Sequence, residues 1–187
     1  MNKKIIVKIS EGLGNQLFMY AHAYAISKRF NFQLNLDPYS GFYKNNLRSY
    51  MLDSFNISAN IAPSNWTFSN NYKNLFKKIK IKIDKFKKNK SFLFEIKDKD
   101  KSTKYTPLNF ENSNDIIYID GNFESEKYFL DYRNDLLKEF SLKTPLKNNN
   151  YLEIINKHNV VSICVRQNRF SERSNNYFDN NAINKSK

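Results

Sequence analysis

Residues 5–9, "IIVKI", form an apolar run rich in β-branched side chains, and "SEGLGNQ" follows at once, before a stretch whose apolar residues recur at spacings of three and four. A short apolar run with no polar alternation is the pattern of a parallel strand buried on both faces. Beyond it, Leu17, Tyr20, Ala21, Tyr24 and Ala25 share one face of a helix that the spacing predicts from Leu13 to about Phe30. "FQLNL" at Phe32 to Leu36 then alternates as a second strand, and "DPYSG" ends it. This β-loop-α-β opening commits the chain to the α/β class.

Further along, Tyr43 to Phe55 reads as a loop followed by a short helix. Between Tyr72 and Lys88, Phe76, Ile79, Ile83 and Phe86 make an apolar stripe at helical spacing, mostly surrounded by lysines. Two uses are open to such a basic amphipathic helix: an ordinary surface helix, or docking onto anionic lipid headgroups. Glu95 to Lys104 mixes charge signs without periodicity and is expected to be a mobile loop. "DIIYIDG" at Asp115 to Gly121 reads as another buried strand. A long helix is predicted after it, capped by Ser125, with Tyr128, Phe129, Tyr132, Leu136, Leu137 and Phe140 facing inward. "SLKTPLKNNN" is the best linker candidate. A short helix near Tyr151 to Asn156 and a buried strand at Val160 to Val165 follow. The expected division is a Rossmann-like α/β domain over residues 1–145, then a linker and the first strand and loop of a second domain over 146–187.

The 187 residues carry 31 Lys and Arg against 18 Asp and Glu, a formal net charge of +13. Such an excess suits an anionic partner, although a chain crowded with Lys, Asn, Ile, Phe and Tyr also acquires charge from compositional bias alone. No RNP, helix-turn-helix or zinc pattern accompanies the charge, so nucleic acid is not the expected partner. A single cysteine, Cys164, excludes an intramolecular disulfide framework and reads as a small buried residue rather than a nucleophile. The first residues lack a signal h-region and no run of about 18 apolar residues occurs, which points to a cytoplasmic location, at most peripheral on the inner membrane face.

The glycine loop between the first strand and helix is the candidate for ligand contact; a tight turn that only serves packing is the alternative. In β-loop-α units a ligand sits at the carboxyl end of the strand, where helix N-terminal amides favour an anion. Gly12 and Gly14 allow close approach to the backbone. The spacing fails both common phosphate loops, since Leu17 stands where a dinucleotide fingerprint needs Gly and no Lys-Ser/Thr pair follows. Asn15 and Gln16 are indifferent helix formers whose amides suit a neutral polyhydroxylated ligand such as a sugar; Asn15 as a simple helix cap is the alternative.

These residues resemble the opening of the bacterial α-1,2-fucosyltransferases, glycosyltransferase family 11, which begin with a strand followed by GGLGNQ-[LM]-F-x-Y-A. Here the stretch runs from Glu11 to Ala21, with Glu11 in place of the first Gly. "LRSYMLDSFNI" at Leu47 to Ile57 is similar to the family's R-x-Y-x-L-x-x-F-N-I segment. "IDGNFESEKYFLDYRNDLLKEF" at Ile119 to Phe140 resembles its G-x-[FW]-Q/E-S-E-K-Y-F segment, in the same order. "VSICVRQNRF" at Val161 to Phe170 sits where the family carries V-S-x-H-x-R-R-x-D-Y; Arg166 matches the first Arg, while Cys164, Gln167 and Arg169 depart.

The resemblance implies a GT-B-like enzyme of two Rossmann-like domains that transfers L-fucose from GDP-fucose to O2 of a galactosyl acceptor. The transfer inverts the anomeric centre, needs no metal and no cofactor, and belongs to surface-glycan, O-antigen or lipopolysaccharide synthesis. The implied partners are GDP-fucose and a galactose-containing acceptor, free or lipid-linked. Donor-binding candidates are Arg166, whose planar fork suits a pyrophosphate, with Gly12, Gly14, Asn15 and Gln16. The glycine loop is expected in the interdomain cleft with Asn15 as the catalytic candidate, and no carboxylate stands out as base. Family members run on well beyond Arg166, so the chain is expected to be a truncated piece; the alternative is an inactive remnant that at most binds a glycan.

Overall fold

The computed structural model describes residues 3–44, 47–96 and 105–144, and scattered positions between 154 and 163. Two compact units divide the chain, Met1–Pro145 and Leu146–Lys187. In the first, strands β1 (Lys4–Lys8), β2 (Gln33–Asp37), β3 (Asn60–Ile61), β4 (Lys90–Phe94) and β5 (Ser113–Asp120) form one sheet in the order β3, β2, β1, β5, β4. Every pairing is parallel; Ile5 on the central strand lies opposite Leu34 on one side and Ile117 on the other. The mixed α/β class holds, and an all-parallel five-stranded sheet is compatible with a Rossmann-like domain.

Helix α1 (Leu13–Phe30) lies on one face of the sheet. It begins and ends where the apolar period does, and Asn31 closes it in the left-handed region at φ 53, with its N–H donating to the Ser27 carbonyl. Met19, Tyr20, Ala23, Tyr24 and Ile26 pack on Ile5 and Val7 of β1, on Ile9 just beyond it, and on Ile117 and Ile119 of β5. Ile6, Phe92 and Tyr118 point to the other face and pack with Ala62 and Phe68. Both faces of β1 are therefore covered, which accounts for its unbroken apolar run. Burying each of these large side chains contributes about 1.5–3 kcal/mol.

Helix α2 (Asn71–Asp84) forms where the amphipathic pattern falls, but its orientation is a finding: Lys77 and Asp84 are the buried residues, and the apolar stripe is exposed. Strand β4, the segment "KSFLF", is an edge strand that the sequence pattern did not reveal. Glu95, expected in a mobile loop, is buried; the rest of that expected loop, 97–104, lies outside the described residues.

The predicted long helix after β5 is broken. One-turn 3-10 helices occupy Glu126–Tyr128 and Leu130–Tyr132, and only Arg133–Glu139 is α-helical, as α3. Ser125 makes no side-chain cap. Aromatic packing explains the break: Tyr128 reaches His22, Phe129 reaches Phe18 and Tyr132 reaches Tyr24, all on α1, and Phe129 leaves the helical region at φ −139 to allow it. Leu136 is buried as expected, whereas Leu137 is exposed.

In the second unit, Ile154, Ile155 and Lys157 are helical. Val160, Val161 and Ile163, the described positions of the expected buried strand, are exposed and lie in no strand. The remainder of that strand lies outside the described residues.

Candidate functional site

The chain builds β2 and β3 on one flank of β1 and then returns to build β4 and β5 on the other. In open parallel sheets the crevice outside the carboxyl ends, at such a reversal of strand order, is where ligands bind. The two loops that rim it, after β1 and after β5, each turn through the left-handed region at a residue other than glycine: Glu11 at φ 65 and Phe123 at φ 53. Such conformations cost about 1–2 kcal/mol each and persist only where the surroundings hold them.

The surroundings do hold them. The Gln16 amide is fully buried; its Nε2 donates to the carbonyls of Glu11 at 3.0 Å and Ser49 at 2.9 Å, and its Oε1 accepts from the N–H of Met51 at 2.9 Å. Both amide protons are spent inside the protein, so Gln16 shapes the loop and offers no donor to a ligand. On the other side the buried Glu95 carboxylate accepts from the N–H groups of Asn122 (2.9 Å) and Phe123 (2.8 Å). The Phe123 ring lies against His22, tilted by 34° with centroids 3.8 Å apart, and Tyr128 closes on the same imidazole. Burial, and secondarily Arg29, lowers the His22 pKa from 6.5 to about 3, so the ring is neutral; its Nδ1 is buried without a hydrogen-bond partner among the described residues.

Across the crevice, Asn15 Nδ2 donates to Glu124 Oε1 at 2.9 Å, and Asn122 Nδ2 donates to the same oxygen at 3.3 Å. Helix α1 begins here with no side-chain cap and no acidic residue in its first turn. Its leading N–H groups thus retain their capacity for an anion. The Arg48 guanidinium lies alongside: a Cβ placed on Gly12 would be 3.5 Å from Arg48 Nη1. A Cβ on Gly14 would meet nothing within 4 Å, and neither glycine has a positive φ. Among the described residues, packing and backbone conformation therefore require glycine at neither position.

Beneath the loops, Asp120 at the end of β5 pairs with Lys8 at 2.5 Å and Lys77 at 3.0 Å. Burial opposes ionisation of Asp120, but Lys8 and then Lys77 outweigh it and hold the carboxyl below its ordinary range. Burial lowers the Lys77 pKa, and its Nζ also lies 4.4 Å from the Tyr118 ring centroid. Tyr118 donates to Asp37 Oδ2 at 2.7 Å. Asp37 is fully buried and accepts from the N–H groups of Tyr39 and Ser40, so it organises the turn after β2.

Gly12, Gly14, Asn15 and Gln16 are thus together at the crevice, with Gln16 turned inward; Arg166, Cys164, Gln167 and Arg169 lie outside the described residues. Sequence reasoning missed Glu124, Arg48, Glu95 and His22. Glu124 and Arg48 stood inside quoted segments, but nothing local tied them to Asn15 or Gly12. The crevice is an open surface, with Glu11, Gly14, Arg48 and Glu124 exposed. A cavity of about 510 Å³ lined by Phe30, Phe32, Leu108 and Phe110 lies at the opposite end of the strands. Among the described residues no group of three or more His, Cys, Asp or Glu is placed to hold a metal ion, and no helix is long and apolar enough to cross a membrane. No protein-family model matches the chain, and no curated protein or solved structure matches it either.

Proposed function

We propose that the chain is a glycosyltransferase of the α-1,2-fucosyltransferase type, GT-B-like, moving L-fucose from GDP-fucose to O2 of a galactosyl acceptor with inversion. One observation carries this reading: three of the four separated segments that bear the resemblance, those from Glu11, Leu47 and Ile119, converge on one crevice. Gln16 is bonded to Ser49 and Met51, Gly12 lies against Arg48, and Asn15 is bonded to Glu124.

Inversion requires the acceptor hydroxyl to attack C1 of fucose from the side opposite the departing diphosphate, with the hydroxyl proton drawn off and the diphosphate charge balanced. Glu124 and Asn15 form the polar pair that orients the hydroxyl. The family segment accepts Gln at the position of Glu124, so its contribution is to accept a hydrogen bond while the hydroxyl proton passes to solvent water at the open crevice. The first-turn amides of α1 and Arg48 supply positive potential for the diphosphate, and the resemblance adds Arg166 to the same task. Glu11 occupies a left-handed position where the family pattern has Gly, which fits the same loop shape. Surface-glycan synthesis is the setting this chemistry suits.

The test is a thermal-shift titration with GDP and GDP-fucose, followed by product analysis with a galactose-terminated disaccharide. A rise in melting temperature with GDP-fucose and an α-1,2-linked product support the reading. No shift with either nucleotide and no product overturn it.

A further inference from the structure

Helix α2 is fastened to the sheet by its polar residues. Asn70 caps it by accepting from the Lys73 N–H at 2.8 Å. Lys77 is buried and reaches Asp120. Asp84 is buried and accepts from the N–H groups of Ser91 and Phe92 on β4 at 2.9–3.1 Å. With these contacts made, the opposite side of the helix faces outward. Tyr72 is 85 %, Phe76 65 % and Phe86 92 % exposed, and Leu75, Ile79 and Ile83 are exposed with them. At 3.6 residues per turn, the five of these that lie within α2 fall in an arc of about 100°. Rolling the helix to bury the stripe would pull Lys77 from Asp120 and Asp84 from β4, so the outward orientation is built in.

The flanks of the stripe are cationic. Lys78 and Lys82 border one edge, Lys73 and Lys80 the other, and Lys85, Lys87 and Lys88 follow the carboxyl end. The one acid on the helix, Asp84, is turned inward. We propose that this face docks on an anionic lipid surface, lying in the interfacial plane with Phe76, Ile79 and Ile83 among the acyl chains and the lysines at headgroup level. An apolar arc rimmed by Lys stems, which can extend their ammonium groups to water, is the form such helices take. The stripe is about 20 Å long at 1.5 Å per residue, enough for several side chains to insert together. A second copy of the chain fits less well, because stripe-on-stripe contact would set lysine rims against each other. This inference is independent of the fucosyl-transfer reading.

The experiment is flotation of the full chain with vesicles of phosphatidylcholine alone or mixed with phosphatidylglycerol, at low and at high salt. Expected is binding to the mixed vesicles at low salt, release at high salt, and little binding to phosphatidylcholine. Lys78→Glu and Lys82→Glu should each weaken partition about fivefold or more. Phe76→Ser with Ile83→Ser should abolish it while the circular-dichroism spectrum and melting temperature stay unchanged, since both side chains are exposed. Absence of binding to the mixed vesicles, equal binding to neutral ones, or binding indifferent to these substitutions overturns the proposal. So does a dimer in sedimentation equilibrium that the serine variant dissociates, which would assign the face to a second copy.

Discussion

Asn15 and Glu124, 109 positions apart, share a 2.9 Å hydrogen bond that closes the loop after β1 onto the loop after β5. Each loop is held in its shape by an amide or carboxylate from elsewhere, Gln16 on one side and Glu95 on the other. The pair thus sits on rigid supports at the carboxyl edge of the sheet, the arrangement a positioned reaction needs.

If Glu124 orients the acceptor hydroxyl by accepting its hydrogen bond, Glu124→Ala lowers kcat about 100-fold. Glu124→Gln should stay within about tenfold of the unaltered chain. Steady-state fucosyl transfer measures both; a Gln variant as weak as the Ala variant would make Glu124 a proton acceptor instead.

Gly14→Ala fills open space on an exposed helical turn, so the urea midpoint should rise, by up to about 1 kcal/mol of stability, while GDP-fucose binding weakens if the donor approaches there. Gly121→Ala behaves in the opposite way. Its Cβ would lie 2.4 Å from Glu95 Cβ and 2.9 Å from the Phe123 ring, and a loss of roughly 2–4 kcal/mol is expected from the displaced loop.

Gln16→Leu keeps most of the volume but strands the carbonyls of Glu11 and Ser49 and the N–H of Met51 against an apolar side chain in a part-buried site. A cost of about 2–4 kcal/mol is expected in chemical denaturation. Asn15→Ala should leave stability nearly unchanged and lower turnover, separating the two adjacent amides by role.

His22 sets an acid dependence. In the unfolded chain its imidazole protonates as the pH falls through 6.5, whereas in the folded protein it stays neutral to about 3. The unfolded state binds the extra proton across that window, so stability falls by about 1.4 kcal/mol per pH unit on acidification. His22→Leu should flatten the dependence between pH 3 and 6.5 in urea titrations. Loss of ionised Asp120, whose pKa is held low, adds a further decline at the acid end.

The parts of the fold legible in the sequence are those whose signal is local. The apolar run of β1, the period of α1 and the run of β5 announce themselves because each buries a face against whatever lies next to it. Strand β4 gave no comparable signal: on an edge, only Phe92 is buried, and its neighbours are partly exposed. The segment after β5 has helical spacing in its aromatics, yet His22, Phe18 and Tyr24 on α1 draw those rings off a continuous helix. In the candidate site, the glycine loop was visible as a motif, while Glu124, Arg48 and Glu95 were ordinary polar residues until the sheet brought them to it.

What this sequence determined by itself is the class, an α/β chain opening β-loop-α-β, and the existence of an amphipathic basic helix after Asn70, because apolar period and turn chemistry are properties of neighbouring residues. Which side of that helix faces the sheet, and that Asn15 meets Glu124, were decided only in three dimensions. A stripe in the sequence records which residues share a face and is silent on what covers that face. The ion pair of buried Lys77 with Asp120 and the Asp84 bonds to β4 join positions in separate elements, and they outweigh the hydrophobic preference that spacing alone would have followed.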